Sequence, residues 1–278
     1  MSASTQAFFI VSSGRSGTAM LHKALSAAGG TEMHHEYMVH IVQPLAVRRY
    51  MGWASREEAL ALLRATYGAA IHYSGARHWG DSSNKASWLI PELATLLPEA
   101  KFVHLVRDGR KVASSYFHKL GAECYDLHST AILQAFADQP GERLAPPPEK
   151  KYWWPLARPG DPLAQAFRRF DQFERIAWHW TEINRVIADS LSALPGHRHS
   201  FVRLEELQES RVAVRALFEF LGLCCSAEIS ALFERPHNVN RPEDRLLDAR
   251  QRAQFDAIAA PMMARLGYAD RPEYVVNY

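Results

Sequence analysis

The sequence predicts an α/β fold with a central parallel β-sheet flanked by helices. Short apolar runs alternate along the chain with longer segments that carry apolar residues at helical spacing. Two runs, at residues 8–12 (FFIVS) and 101–106 (KFVHLV), have the continuous apolar character of buried parallel strands. Each is followed by a short polar turn and a helix-like segment, and such β-α units place their ligand at the carboxyl ends of the strands.

The other elements are predicted from apolar periodicity and from helix-capping residues. Ser55 followed by Glu58 is a capping-box pattern, and a third strand is expected at residues 199–204 (HSFVRL). The predicted helices span residues 18–28, 55–73, 85–97, 110–120, 163–190, 211–221, 227–233 and 248–266. Residues 139–162 contain seven prolines, which predicts a long surface loop inserted in a single domain over residues 1–278.

Composition limits the classes of partner. The formal net charge of +2 provides no overall basic field, so we expect neither nucleic acid nor an anionic membrane as a partner. Cys124, Cys224 and Cys225 form neither a disulfide framework nor a zinc-binding spacing, which favours a reducing compartment. The sequence has neither a signal-peptide pattern nor an apolar window long enough to span a membrane. We therefore expect a cytoplasmic location.

The segment VSSGRSGTAML, residues 11–21, connects the first strand to the first helix. A sharp turn there directs backbone N–H groups and the positive end of a helix dipole to one place, which suits a phosphate or a sulfate. The Walker A pattern requires a lysine after its second glycine, and Thr18 follows Gly17 here. The guanidinium of Arg15 can instead bind the anion's oxygens. From this loop alone, a plain surface turn remains an alternative.

A second anion site is predicted within residues 101–118 (KFVHLVRDGRKVASSYFH). Arg107 lies at the carboxyl end of the predicted strand, and Ser115 follows eight residues later in the next helix. The carboxyl ends of parallel strands meet at one edge of a sheet, so this site is expected beside the loop of Arg15. Two neighbouring phosphate sites indicate a nucleotide that carries two separate phosphate groups.

Together these segments resemble those of the sulfotransferases that depend on 3′-phosphoadenosine-5′-phosphosulfate (PAPS). Residues 15–18 (RSGT) are similar to the [K/R]-S-G-T loop that binds the 5′-phosphosulfate in that family, and Arg107 with Ser115 is similar to its R-x7-S segment for the 3′-phosphate. Residues 80–116, 202–207 (VRLEEL) and 262–268 (MMARLGY) resemble further blocks of the family. The resemblance has gaps at about 37–78 and 121–175, and it implies the family's fold, which is related to that of the P-loop nucleotide hydrolases.

This resemblance implies an enzyme that transfers the sulfuryl group of PAPS to a hydroxyl or amine and releases 3′-phosphoadenosine-5′-phosphate (PAP), without a metal. The acceptor is a small molecule, lipid, sugar or peptide, and homodimerisation stays open. Arginine stays protonated, so we expect Arg15 to stabilise the leaving phosphate rather than protonate it. The implied nucleotide-binding residues are Ser13, Gly14, Arg15, Ser16, Gly17, Thr18, Ala19, Arg107, Ser115, Asn240 and Arg241. For Asn240 and Arg241, an ordinary loop remains the alternative.

A general base is expected in residues 33–40 (MHHEYMVH). Glu36 follows Arg15 by 21 residues, a spacing similar to that between loop arginine and proposed base in the tyrosylprotein sulfotransferases. Glu36 is therefore the first candidate, followed by His35 and then His34. A zinc motif does not fit, because His35 and His40 would lie about 140° apart on a helix. A structural role for the histidines remains open.

Three questions stay open at this point. Tyr152, Trp153 and Trp154 either form an apolar lid over an aromatic, lipid or sugar acceptor or pin the proline-rich loop by packing. A P-loop kinase would use Asp108 to bind magnesium, although the missing Walker lysine disfavours it. A non-catalytic PAP-binding protein would keep Arg107 and Ser115, although the presence of Arg15 and Glu36 disfavours that function.

Overall fold

The computed structural model describes residues 5–139, 153–234 and 246–273. The strands in these ranges are β1 (Gln6–Val11), β2 (Thr31–His35), β3 (His78–Ser82), β4 (Lys101–Val106) and β5 (His199–Arg203). They form one sheet in the order β2-β3-β1-β4-β5, and every neighbouring pair is parallel. The prediction of a central parallel sheet is confirmed.

Helices cover both faces of the sheet. In chain order they are α1 (Thr18–Ser26), α2 (Val39–Tyr50), α3 (Arg56–Leu63), α4 (Ala69–Tyr73), α5 (Ile90–Leu96), α6 (Gly109–Leu120), α7 (Leu127–Asp138), α8 (Ala164–Phe167), α9 (Gln172–Ser192), α10 (Leu204–Glu209), α11 (Arg211–Leu221), α12 (Ala227–Ala231) and α13 (Ala249–Arg265). Within the described ranges, none of them is long and apolar enough to cross a membrane.

Strand β1 shows how the sheet separates two hydrophobic cores. Phe9 and Val11 pack on one face with residues of α2, α9 and α13, whereas Phe8 and Ile10 pack on the other with α1 and α11. All four side chains are fully buried. Successive side chains of a strand point to opposite faces, so a strand that is covered on both faces is apolar at every position.

Strands β2 and β3 were not predicted, because their sequences TEMHH and HWGDS lack an apolar run. Both are formed by pairing in register, from Thr31 opposite His78 to His35 opposite Ser82. A Cβ atom at Gly80 of β3 would lie 2.3 Å from the ring of Phe8. Only glycine leaves room for the Phe8 ring at this position, and glycine lowers the β-propensity of the strand.

Several helix boundaries differ from the sequence predictions. The helix expected over residues 163–190 is two helices, α8 and α9, because Asp171 caps α9 and accepts a hydrogen bond from the Glu174 N–H. The helix expected over residues 85–97 is a 3-10 turn, Ala86–Trp88, followed by α5. Helices α2 and α7 were not predicted. The Ser55 side chain caps α3 as expected, with the Glu58 N–H as donor at 3.1 Å.

Candidate functional site

The loop between β1 and α1 has the backbone conformation that the glycines allow. Gly14, Arg15 and Gly17 have φ angles of 79°, 56° and 90°, in the left-handed region that glycine adopts most readily. A Cβ atom at Gly14 would lie 2.1 Å from the Tyr116 hydroxyl oxygen, and one at Gly17 would lie 2.6 Å from Leu204 Cδ1. Both glycines are therefore required by the backbone conformation and by close neighbours.

Buried polar groups hold this loop in place. The Ser13 and Ser16 hydroxyls are 3.0 Å apart, and Ser16 Oγ also donates to the Gly14 carbonyl at 3.0 Å. The Tyr116 hydroxyl, from α6, donates to the Ser13 carbonyl at 2.7 Å. The Ser12 N–H, at the start of the loop, donates to Ser87 Oγ at 2.9 Å. The loop is thus positioned by groups from two other segments before any ligand binds.

The two predicted anion-binding segments meet at the same edge of the sheet. Arg15 Nε donates to Ser115 Oγ at 3.0 Å, and Arg107 Nη1 donates to the Arg15 carbonyl at 3.1 Å. These residues are 100 and 92 positions apart in the sequence. Two guanidinium groups, a hydroxyl and the N-terminus of α1 therefore lie together, an arrangement that can bind an anion with more than one negative charge.

The remaining predicted nucleotide-binding residues divide into two groups. Thr18 and Ala19 are described by the structure and begin α1. The Thr18 carbonyl accepts a hydrogen bond from Ser82 Oγ at 3.1 Å, and Ala19 is exposed. Asn240 and Arg241 lie outside the described residues, as do residues 140–152 of the proline-rich loop. The described part of that loop, residues 153–162, forms neither helix nor strand.

Glu36 lies directly after β2, at the same edge of the sheet. Its backbone has a φ of 57°, and its N–H donates to the Ser82 carbonyl at 3.2 Å. Its Oε1 forms an ion pair at 2.8 Å with Nζ of Lys85, which follows β3. Lys85 is not among the site residues predicted from the sequence. Its position five residues after Gly80, in a segment that resembles the family, was the available signal.

The two candidate histidines have different partners. His35 Nδ1 lies 2.9 Å from the Ser82 carbonyl, which can only accept, so Nδ1 donates this hydrogen bond. His34 Nε2 lies 2.9 Å from Glu32 Oε1, at the edge strand β2. Of the two imidazoles, only that of His35 is therefore oriented by the strand-end segment that also holds Glu36.

Asp81 stabilises the turn that carries Glu36. Its carboxylate accepts hydrogen bonds from the Tyr67 hydroxyl at 2.6 Å and from the Tyr37 N–H at 3.1 Å. Burial raises the pKa of Asp81 above its usual value, while these hydrogen bonds act in the opposite direction. Asp81 is fully buried, so it acts on the backbone next to Glu36 and not on a ligand.

Asp108 does not have the surroundings of a magnesium ligand. Its carboxylate caps α6 by accepting from the Arg110 N–H at 2.9 Å. The Arg110 guanidinium also binds both carboxylate oxygens, with Nη2 2.6 Å from Oδ2. Both carboxylate oxygens of Asp108 are therefore used in a helix cap and an ion pair, and not in the magnesium binding that a kinase would require.

A small pocket of about 20 Å³ adjoins Lys85, the ion-pair partner of Glu36. Its wall includes Gln43, Asn84, Lys85, Trp88, Trp154 and His179. Trp153 also lines the pocket, and its side chain is only 5% exposed. Trp154 packs edge-on against His179 with ring centroids 5.1 Å apart. The two tryptophans thus both pack against the core and line a pocket.

Comparisons with known proteins identify the class. Residues 7–142 match the sequence model of the sulfotransferase family. Among curated protein sequences, none is similar enough to this chain to count as a match. The resemblance to the sulfotransferase family is thus confirmed for the half of the chain that contains the loop, Glu36, Lys85 and the segment from Arg107 to Ser115.

Solved structures extend the likeness of fold over nearly the whole chain. A sulfotransferase from Alicyclobacillus acidocaldarius aligns with a TM-score of 0.56 at 16% identity, covering 97% of this chain and 98% of its own. A sulfotransferase from Mycobacterium avium aligns at 0.52 with 13% identity over 95% of this chain and 77% of its own. The sulfotransferase domain of the curacin biosynthetic pathway aligns at 0.51 with 13% identity, over 95% and 98%. At these identities, the likeness establishes the sulfotransferase fold.

Proposed function

We propose that the protein is a PAPS-dependent sulfotransferase that acts on a hydroxyl or amine of a small-molecule acceptor. The observation that carries this proposal is the contact between Arg15 and both Arg107 and Ser115, at 3.1 and 3.0 Å. ATP carries its phosphates in one chain, so an ATP site places its cationic groups along that chain. Here Arg15 belongs to the loop before α1, Arg107 directly follows β4, and the hydroxyl of Ser115 belongs to α6, which suits a nucleotide with phosphates at two separate positions.

In the proposed reaction, Glu36 takes the proton of the acceptor's hydroxyl or amine. The freed lone pair attacks the sulfur atom of PAPS, and the bond between that sulfur and the 5′-phosphate oxygen breaks. The electron pair leaves on the phosphate oxygen, beside the guanidinium of Arg15 and the amides of the loop. The products are the sulfated acceptor and PAP, and Glu36 releases its proton to solvent.

We assign Lys85 to two tasks at this site. Its Nζ binds Oε1 of Glu36 at 2.8 Å, which leaves Oε2 as the oxygen for the substrate proton. The second is to stabilise, with its positive charge, the negative charge that the sulfuryl oxygens gain during an in-line transfer. His35 is the second candidate for the base. Neither role requires a metal ion.

The test is a calorimetric titration with PAP, which needs no knowledge of the acceptor. Arg107→Ala should weaken PAP binding by about 10²-fold or more, because a phosphate loses a charged partner. Arg211→Ala is the matched control: it removes a guanidinium that is 68% exposed in an ion pair with Glu234. PAP, ATP and adenosine 5′-phosphate are compared by thermal shift. Equal PAP affinity in both arginine variants, or better stabilisation by ATP with magnesium, would overturn the proposal.

Two further features belong to the proposal. We place the enzyme in the cytoplasm, supported by the three cysteines without a disulfide pattern. We also treat residues 1–278 as one sulfotransferase domain with an inserted loop at about 139–162, supported by alignments that run over more than nine-tenths of the chain.

A further inference from the structure

Two sequence blocks that have no part in the proposed reaction, residues 202–207 (VRLEEL) and 262–268 (MMARLGY), lie against each other. The first covers the end of β5 and most of α10, and the second covers the end of α13 and the turn after it. Arg203 Nε donates to the Leu266 carbonyl at 3.0 Å. Gly267 has a φ of 75°, and a Cβ atom there would lie 2.3 Å from Arg203 Nη2. The two blocks therefore form one close contact in which only glycine fits at position 267.

This contact directs the Tyr268 hydroxyl towards the side chain of Glu205. Helix α13 ends in a Schellman motif, in which Gly267 is left-handed and the Tyr268 N–H donates to the Met263 carbonyl at 2.8 Å. The Tyr268 hydroxyl donates to Glu205 Oε2 at 2.7 Å, and both residues are at most 5% exposed. Burial raises the pKa of Tyr268, and the Glu205 carboxylate raises it further. The phenol therefore keeps its proton and remains a donor.

The other oxygen of Glu205 binds the peptide group between Arg107 and Asp108. Its Oε1 accepts from the buried N–H of Asp108, the N-cap of α6, at 3.0 Å. In a capping box, the N–H of the N-cap is bound by a side chain at the third helical position, as Glu174 does in α9. The third position of α6 is Lys111, which has no acceptor. Glu205 thus supplies from another segment the acceptor that α6 lacks.

That peptide group joins the two residues of the predicted 3′-phosphate site. Arg107 directly follows β4, and Ser115 lies in α6. The peptide group is planar, so a bond that holds its N–H also fixes the ψ angle of Arg107. Because β4 is held in the sheet, this angle sets the position of Arg107 relative to α6. Loss of the Glu205 contact would therefore change the distance between the guanidinium and the Ser115 hydroxyl.

We propose that Glu205 and Tyr268 are positioning residues for the binding of the 3′-phosphate. Glu205 holds the peptide group after Arg107, Tyr268 holds Glu205, and neither side chain touches the nucleotide. This inference rests on the proposed use of PAPS, because it assigns the 3′-phosphate to Arg107 and Ser115. Substitution of either positioning residue should weaken the binding of a nucleotide that carries a 3′-phosphate and leave that of a nucleotide without one unchanged.

The experiment compares PAP with adenosine 5′-phosphate, which lacks the 3′-phosphate, by calorimetric titration. Glu205→Leu removes the acceptor for the Asp108 N–H and should lower the affinity for PAP about tenfold. Its affinity for adenosine 5′-phosphate should stay unchanged. Glu205→Gln keeps a carbonyl oxygen for the same N–H and should retain the affinity for PAP. Tyr268→Phe removes one hydroxyl and should lower the affinity for PAP about threefold, and it provides the same test if Glu205→Leu does not fold.

A matched control and a second background separate positioning from a loss of stability. Glu209→Leu removes an exposed carboxylate one turn later in α10, and both nucleotide affinities should stay unchanged. Glu205→Leu is also made in the Arg107→Ala background. If Glu205 acts through Arg107, its substitution should have no further effect on PAP binding there. A purely structural role would produce the same loss in both backgrounds.

The outcomes distinguish this inference from the proposed function. An equal loss of affinity for the two nucleotides, wild-type affinity for PAP in both Glu205→Leu and Tyr268→Phe, or the same effect of Glu205→Leu in the Arg107→Ala background would overturn the inference. Binding of PAP that depends on Arg107 would leave the sulfotransferase proposal intact in each of these cases. Failure of the wild-type protein to bind PAP would overturn both.

Discussion

Substitution of Gly14 by alanine tests whether the loop before α1 is held by the close approach of Tyr116. The residue has a φ of 79°, and a Cβ atom there would lie 2.1 Å from the Tyr116 hydroxyl and 2.8 Å from Asn84 Nδ2. Tyr116 must therefore move and lose its hydrogen bond to the Ser13 carbonyl. We expect Gly14→Ala to destabilise the protein and to weaken PAP binding, because the loop amides shift with Ser13.

The magnitude has two parts that a control can separate. Alanine in the left-handed region costs about 1–2 kcal/mol, and the broken buried hydrogen bond costs about 1–3 kcal/mol. Gly52 has a φ of 74° and open space around its Cα, so Gly52→Ala has only the cost of placing alanine in the left-handed region. The free energy of unfolding should therefore fall by about 2–5 kcal/mol for Gly14→Ala and by about 1–2 kcal/mol for Gly52→Ala.

The assay is urea unfolding of a double-mutant cycle with Tyr116→Phe, which removes the hydroxyl that would collide with the new methyl group. In the Tyr116→Phe background, the effect of Gly14→Ala should shrink towards that of Gly52→Ala. A coupling energy within about 0.5 kcal/mol of zero would refute the reasoning. So would equal destabilisation by the two glycine substitutions in the wild-type background.

Three other predictions concern catalysis and pH. Glu36→Gln should slow sulfuryl transfer by roughly 10² or more and leave PAP affinity nearly intact; full activity would move the base to His35. Lys85→Met should lower kcat without weakening PAP binding, since Lys85 contacts Glu36, and a change in PAP affinity alone would contradict its assigned role. Burial lowers the pKa of His179 from 6.5 to about 3 and that of His104 from 6.5 to about 4. The unfolded chain therefore binds these protons first as pH falls below 6.5. Each histidine should reduce stability by up to about 1.4 kcal/mol per pH unit between pH 6.5 and 4. In urea unfolding over that range, His179→Phe should flatten the dependence on pH, and an unchanged slope would show that His179 is not held neutral.

The parts of the site that lie in continuous segments were predictable. The loop of Arg15 and the strand before Arg107 are marked by local patterns, an apolar run followed by small residues or by an arginine, and the structure brings them into contact. Glu36 was selected by its spacing, and the structure places it at the same sheet edge. Lys85 was missed although it lies in the segment 80–116 that resembles the family, because its pairing with Glu36 depends on the folded chain.

Strands β2 and β3 were missed for a related reason. Their polar sequences form strands because β1 and the helices around it position them, and propensity is a weak guide at such places. The break between α8 and α9 was missed because the apolar periodicity continues through it, although Asp171 and Glu174 carried a capping signal.

The sequence by itself determined the α/β class, and it was enough to select the candidate loop of Arg15 and the candidate pair Arg107 and Ser115, because each depends on the conformation of a few neighbouring residues. Only the tertiary structure decided which of these groups touch, that Lys85 is the partner of Glu36, and that Gln43, Asn84 and His179 share one pocket. These residues are up to 136 positions apart, from Gln43 to His179. Their hydrogen-bonding state depends on neighbours such as Tyr125 and Tyr116, which only the packed sheet and helices bring within reach.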